Sequence, residues 1–99
     1  MGDKYILDGH ATVECNDLMA WARWFETADR QVAKTAIGDV KVSTVFLGLD
    51  HSFGGGKPLL FETMIFGGAH DEYQTRCSTW DEADAQHQAA VALVRGGAK

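Results

Sequence analysis

The sequence predicts an α+β protein, a two-layer sandwich in which two helices pack on one face of an antiparallel sheet of four to five strands. Short segments show alternating apolar side chains, and two longer segments repeat apolar side chains at helical spacing. Successive strand-like segments are joined by short turns, which favour antiparallel pairing. Helices on one side of such a sheet form a two-layer domain. The 99 residues suffice for one domain, residues 1–99.

The strands are predicted from β-prone runs that end at turn residues. Two short runs near the start, Tyr5-Ile6-Leu7 and residues 11–15, flank the turn dipeptide Asp8-Gly9. The later strands are predicted over residues 32–37, 40–49, 59–66 and about 72–77. The strand over residues 40–49 carries apolar side chains on both faces near its end, so we expect it to be central in the sheet.

Two helices follow from capping signals and apolar spacing. The first spans about residues 17–30, with Asn16 or Asp17 as its N-cap. The second begins at Thr79, which forms a capping box with Glu82. The apolar stripes are Leu18, Trp21, Ala22, Phe25 and Ala28 in the first helix, and Trp80, Ala83, His87, Ala90, Val91 and Val94 in the second.

Composition limits the classes of partner. The net charge of −5 and the scattered basic residues disfavour direct binding of nucleic acid. No apolar run is long enough to cross a membrane, so we expect a cytoplasmic protein without a membrane partner. Cys15 and Cys77 belong to no CxxC pair and are expected to be free thiols. No cofactor motif occurs, and no metal site is predicted.

The dipeptide Asp50-His51, at the end of a predicted strand, allows two interpretations. With Glu62 and His87 it could form a general base or a metal site, since carboxylates and imidazoles bind zinc. Its spacing matches no metal motif, and the simpler interpretation is a polar pair that hydrogen-bonds the turn backbone. For His87, the alternatives are a satisfied core histidine and an imidazole bonded to Glu62 or Asp50.

A binding surface is the second kind of candidate site. Leu60, Met64 and Phe66 share a strand face with Glu62, which would make an apolar surface around one carboxylate if that face is open. Trp24 widens the apolar stripe of the first helix and could form an exposed aromatic edge. The glycine loop over residues 52–57, which includes Phe53, lacks the phosphate-loop pattern and is a candidate partner contact.

Three segments, VSTVFLGLDHSF, LLFETMIFGG and STWDEADAQH, resemble a group of small proteins of unassigned function encoded by tailed bacteriophages and prophages. The resemblance extends through WARWFETADRQVAKT and covers most of the chain. It implies an accessory protein that works in an infected bacterial cytoplasm by binding a host protein, one such role being inhibition of a host defence system. It implies no catalytic residues.

We therefore expect a binding protein, and not an enzyme, that forms a homodimer or pairs with a partner through exposed strand edges. The alternative is a protein that sequesters a small ligand or depends on a metal. Dependence on a metal requires Asp50, His51, Glu62 and His87 to converge in one cleft. Sequestration of a ligand at a dimer interface requires a pocket with aromatic side chains such as Trp21, Trp24 or Trp80 and a few convergent polar groups.

Overall fold

Six strands and two helices make up the fold, and the computed structural model describes residues 3–52 and 56–96. The elements in chain order are β1 (Tyr5–Asp8), β2 (Ala11–Glu14), α1 (Leu18–Thr27), β3 (Gln31–Ile37), β4 (Val40–Phe46), β5 (Phe61–Phe66), β6 (Gln74–Cys77) and α2 (Trp80–Gly96). The predicted α+β class is confirmed, with a four-stranded antiparallel sheet in the order β3-β4-β5-β6.

The first two strands form a hairpin of their own instead of extending that sheet. β1 pairs with β2 across the Asp8-Gly9 turn, and Gly9 has the positive φ that such a tight turn requires. The hairpin is attached to the end of β4, where the Tyr5 amide donates to the Gly48 carbonyl at 2.8 Å.

The two faces of the four-stranded sheet have different environments. Alternate β4 residues, Val42, Thr44 and Phe46, are buried, and α2 packs against β3, β4 and β5 on their side. Side chains of intervening residues point to the opposite side, because successive residues of a strand face opposite ways. We call that opposite side the open face. Its strand residues, none of them buried, are Gln31, Lys34, Ala36, Lys41, Ser43, Val45, Glu62, Met64, Phe66, Gln74 and Arg76.

The second helix forms as its capping signals predict. The Thr79 hydroxyl accepts from the Glu82 amide at 3.2 Å, and the Glu82 carboxylate accepts from the Ser78 and Thr79 amides, which completes the capping box. Ala83, His87 and Ala90 are the buried members of its stripe. Their spacing of three to four residues directs one helix face onto the sheet.

The first helix closes one end of the same side of the sheet. Asp17 is its N-cap, accepting from the amides of Met19 and Ala20, which resolves the choice between Asn16 and Asp17. The helix ends at Thr27, earlier than predicted, and the chain enters β3 shortly afterwards. Trp24 packs edge-on against Phe46 at 5.7 Å between ring centroids, so α1 lies on the covered side.

Candidate functional site

The dipeptide Asp50-His51 holds a turn. The Asp50 Oδ1 accepts from the amides of Ser52 at 2.8 Å and Leu59 at 2.9 Å, which joins the two ends of the loop. These hydrogen bonds, chiefly that from Ser52, lower the pKa of Asp50. The His51 Nδ1 donates to the Leu49 carbonyl at 2.9 Å. The interpretation of this dipeptide as a polar pair that satisfies turn backbone is therefore confirmed.

His87 is buried between α2 and the sheet, with 1% of its surface exposed. Its Nδ1 lies 2.8 Å from the Thr44 hydroxyl and its Nε2 lies 2.8 Å from the Thr35 hydroxyl. Thr44 is bonded in turn to Thr63 at 2.7 Å. The interpretation of His87 as a satisfied core histidine is thus confirmed, and the alternative, a bond from His87 to Glu62 or Asp50, is wrong.

Glu62 lies on the opposite side of the sheet from His87. It pairs in register with Val45, the neighbour of Thr44 that points the other way. Its carboxylate accepts from Arg76 Nε at 3.0 Å and also from the Gln74 side-chain amide. Because the sheet separates Glu62 from His87, the four residues of the proposed catalytic or metal cleft do not converge. In residues 3–52 and 56–96, no group of three or more His, Cys, Asp or Glu side chains is arranged to hold a metal ion.

A groove of about 460 Å³ lies beside β6 and the start of α2. Its wall includes Cys77, a free thiol whose pKa burial raises to about 11, so the thiol stays protonated near neutral pH. Glu82 also lines the groove, but its carboxylate is engaged by the capping box. The groove therefore presents neither a reactive thiolate nor a free carboxylate base.

The open face brings together three of the predicted binding residues, Glu62, Met64 and Phe66. Met64 and Phe66 are two positions apart on β5, about 7 Å along the strand, and project to the same side. Phe66 is 47% exposed, and it is the one exposed large apolar side chain among the strand residues of the open face. Val45 on β4 and Glu62 on β5 stand beside Met64. Apolar side chains therefore surround the Glu62 carboxylate as predicted, but Val45 is one of them in addition to Met64 and Phe66.

Leu60 and Trp24 do not belong to this surface. Leu60 is completely buried in a cluster with Phe46 and Phe61, so its expected exposure beside Met64 is wrong. Side chains from the hairpin and both helices surround that cluster at this end of the sheet. Consecutive residues Leu60 and Phe61 are therefore both buried, and the alternation of buried and half-buried residues along β5 does not extend to Leu60. Trp24 is half-buried against the same cluster, so it forms no exposed aromatic edge. Phe53 lies outside the described residues.

Several members of the open face carried no signal of their own in the sequence. Lys34, Lys41 and Arg76 lie on three different strands, and only the pairing register shows that they share one side with Met64 and Phe66. The period-two pattern indicates which residues of one strand share a side. It does not indicate which strands are neighbours, so these cations could not be assigned in advance.

Among the residues that the structure describes, no helix combines the length and apolar composition needed to span a membrane. Comparison with known proteins identifies no relative: no family model, no curated protein and no solved structure matches the chain.

Proposed function

We propose that this chain is a binding protein that holds another protein on the open face of its sheet. The observation that carries the proposal is the pair Met64 and Phe66 on one side of β5, of which Phe66 is exposed and Met64 is half-buried beside it. Neighbouring apolar side chains that form a contiguous patch on the surface often mark protein contacts. Aromatic and methionine side chains are also enriched at such contacts.

The proposed partner is a protein of a bacterial host. The resemblance of the VSTVFLGLDHSF, LLFETMIFGG and STWDEADAQH segments to small phage-encoded proteins supports this choice. A small accessory protein of this kind would act by occupying a surface that its target needs, and inhibition of a host defence system is one such role. The expected homodimer also stays a prediction. Its free edges would be β3 and β6, which each pair with one strand in the described sheet.

The first test is affinity capture from a bacterial lysate with tagged protein, quantified by mass spectrometry. The variant Met64→Ser, Phe66→Ser should lose at least about tenfold of the specific capture, because truncating a hot-spot side chain costs about 2 kcal/mol of binding energy. The matched control is Leu18→Ser, Met19→Ser on α1. It removes two apolar side chains that are 57% and 63% exposed, and thus at least as accessible as Phe66.

Circular dichroism should show the same fold for all three proteins before capture is compared. Equal loss of capture in both double variants would point to a general effect of exposed apolar surface and would contradict the proposal. Loss in the α1 variant alone would move the binding surface to that helix. Capture that survives in the Met64→Ser, Phe66→Ser variant would exclude the open face.

A further inference from the structure

Charge is distributed unevenly between the open face and the rest of the chain. The face carries three basic side chains, Lys34, Lys41 and Arg76, and one acidic side chain, Glu62, a net charge of +2. Since the whole chain carries −5, the remainder carries −7. Three of the nine basic residues therefore lie on this surface, compared with one of the fourteen acidic residues.

The two lysines supply the unbalanced charge. Arg76 and Glu62 neutralise each other through the 3.0 Å ion pair. Within the described ranges, neither Lys34 nor Lys41 has a carboxylate oxygen within 4.0 Å. Lys34 is opposite Ser43 and Lys41 is opposite Ala36, so the two lysines are diagonal neighbours about 7–8 Å apart across β3 and β4.

This positive charge borders the apolar pair directly. Lys41 is opposite Phe66 in the β4–β5 register, and Ser43, opposite Met64, is also opposite Lys34 on β3. We infer that the open face binds an acidic protein segment in which Asp or Glu side chains stand beside apolar ones. The inference rests on the proposed function and adds the chemical class of the partner.

The acidic body of the chain does not cancel this attraction at close range. At physiological ionic strength the Debye length is about 8 Å, similar to the spacing of the two lysines. A carboxylate placed on the face therefore interacts with Lys34 and Lys41 more strongly than with remote acidic residues. Complementary charge of this kind selects partners and accelerates their association.

A nucleic acid fits the open face less well than an acidic protein segment does. Two unpaired lysines would neutralise about two phosphates, and the affinity of a protein for nucleic acid comes largely from neutralising many phosphates with Lys and Arg. Phe66 is the one aromatic residue among the strand residues of the open face, so stacking of successive bases lacks a platform. The charge of −7 on the remainder would also repel a long polyanion.

The test places a photocrosslinking residue at the surface. Phe66→p-benzoylphenylalanine keeps an aromatic ring at this position and crosslinks whatever protein segment contacts it in the lysate. The crosslinked segment is identified by mass spectrometry, and its yield is compared in three backgrounds: native lysines, Lys34→Arg with Lys41→Arg, and Lys34→Glu with Lys41→Glu. The arginine pair controls for altered shape, because it keeps both positive charges.

We expect a crosslinked segment with more Asp and Glu than Lys and Arg. At about 0.05 M salt, the glutamate pair should lower the yield at least about tenfold while the arginine pair stays within about twofold. At about 1 M salt, the glutamate and native backgrounds should converge, because the Debye length falls to about 3 Å.

The outcomes separate this inference from the proposed function. A protein crosslink that survives charge reversal, or a captured segment that is neutral or basic, would show that the partner segment is not selected for acidic side chains. The open face would remain a protein-binding site. The absence of any protein crosslink would overturn both. Enrichment of crosslinked RNA or DNA over protein would show that the partner is a nucleic acid and would overturn the inference of an acidic protein segment.

Discussion

Single residues show how a buried imidazole is accommodated on the covered side of the sheet. In neutral His87, one ring nitrogen donates a hydrogen bond and the other accepts one, and the hydroxyls of Thr35 and Thr44 can match either arrangement. A protonated ring would place a charge in a site with almost no solvent. Burial therefore lowers the pKa of His87, against a smaller opposite effect from Asp84.

Stability should consequently depend on the protonation of His87. Below its ordinary pKa of 6.5 the unfolded chain takes up a proton that the folded chain refuses, so the free energy of unfolding falls with falling pH. The expected slope approaches about 1.4 kcal/mol per pH unit until the lowered folded pKa is reached. Urea unfolding between pH 7.5 and 5 measures it.

The variant His87→Gln removes the titrating group and should flatten this part of the profile, even if the variant is less stable at every pH. Titration of the His87 ring proton by NMR gives an independent reading of the folded pKa. The mechanism would be wrong if the slope persisted in His87→Gln or if the ring titrated at or above its ordinary value.

At the scale of elements, Gly48 determines where β4 ends. The predicted strand continues to residue 49, but the observed one stops at Phe46, and Gly48 has a φ of +78°. This left-handed conformation allows the Gly48 carbonyl to accept from both the Tyr5 amide and the Trp21 indole. One glycine thereby joins the sheet to the hairpin and to α1.

Replacement of Gly48 should be more costly than replacement of an ordinary turn glycine. A Cβ at residue 48 would lie 2.9 Å from the Phe25 ring, whereas a Cβ at Gly38 would meet no atom within 4 Å, although φ there is +59°. Gly38→Ala should cost about 1–2 kcal/mol for its backbone conformation alone. Gly48→Ala should cost about 3 kcal/mol, since overpacking adds about 1–3 kcal/mol.

The comparison is made by urea unfolding of both variants under the same conditions. Equal losses for Gly48→Ala and Gly38→Ala would show that the Phe25 ring moves aside without cost. Such a result would contradict a tight junction between β4 and α1.

At the scale of the whole molecule, four aromatic rings connect both helices through the sheet. Trp24 of α1 contacts Phe46, Phe46 lies 5.3 Å from Phe61, and Phe61 lies 6.2 Å from Trp80 of α2. His10 at the hairpin tip stacks on Trp80 at 3.8 Å. Because these contacts join every layer, the described elements should unfold together as one cooperative unit.

Two phenylalanines on opposite faces of the sheet test this arrangement. Phe46→Ala should lose about 3–5 kcal/mol, the usual cost of removing a buried phenylalanine side chain. Phe66→Ala should change stability by about 0.5 kcal/mol or less, since surface substitutions rarely exceed that value. Tryptophan fluorescence and far-ultraviolet circular dichroism should give coincident urea transitions for both proteins. A large loss in Phe66→Ala would mean that the open face is covered in solution, for example by a second copy.

The amino-acid sequence by itself determined the class of fold and most of its elements. Helix caps and apolar periodicity depend on interactions within a few residues, so Asp17, the Thr79–Glu82 capping box and the stripe containing His87 could be located from the sequence. The turn role of Asp50 was also within reach, because an aspartate hydrogen-bonds the backbone two residues further on.

Tertiary structure alone decided which of these residues meet. His87 bonds Thr44, 43 positions away, and Leu60 is buried because elements distant in the sequence surround one end of the sheet. Lys34, Lys41, Met64 and Phe66 form one surface only because the strand register aligns them. Local periodicity assigns a residue to a side of its own strand, whereas the pairing of strands and the packing of helices decide what that side faces.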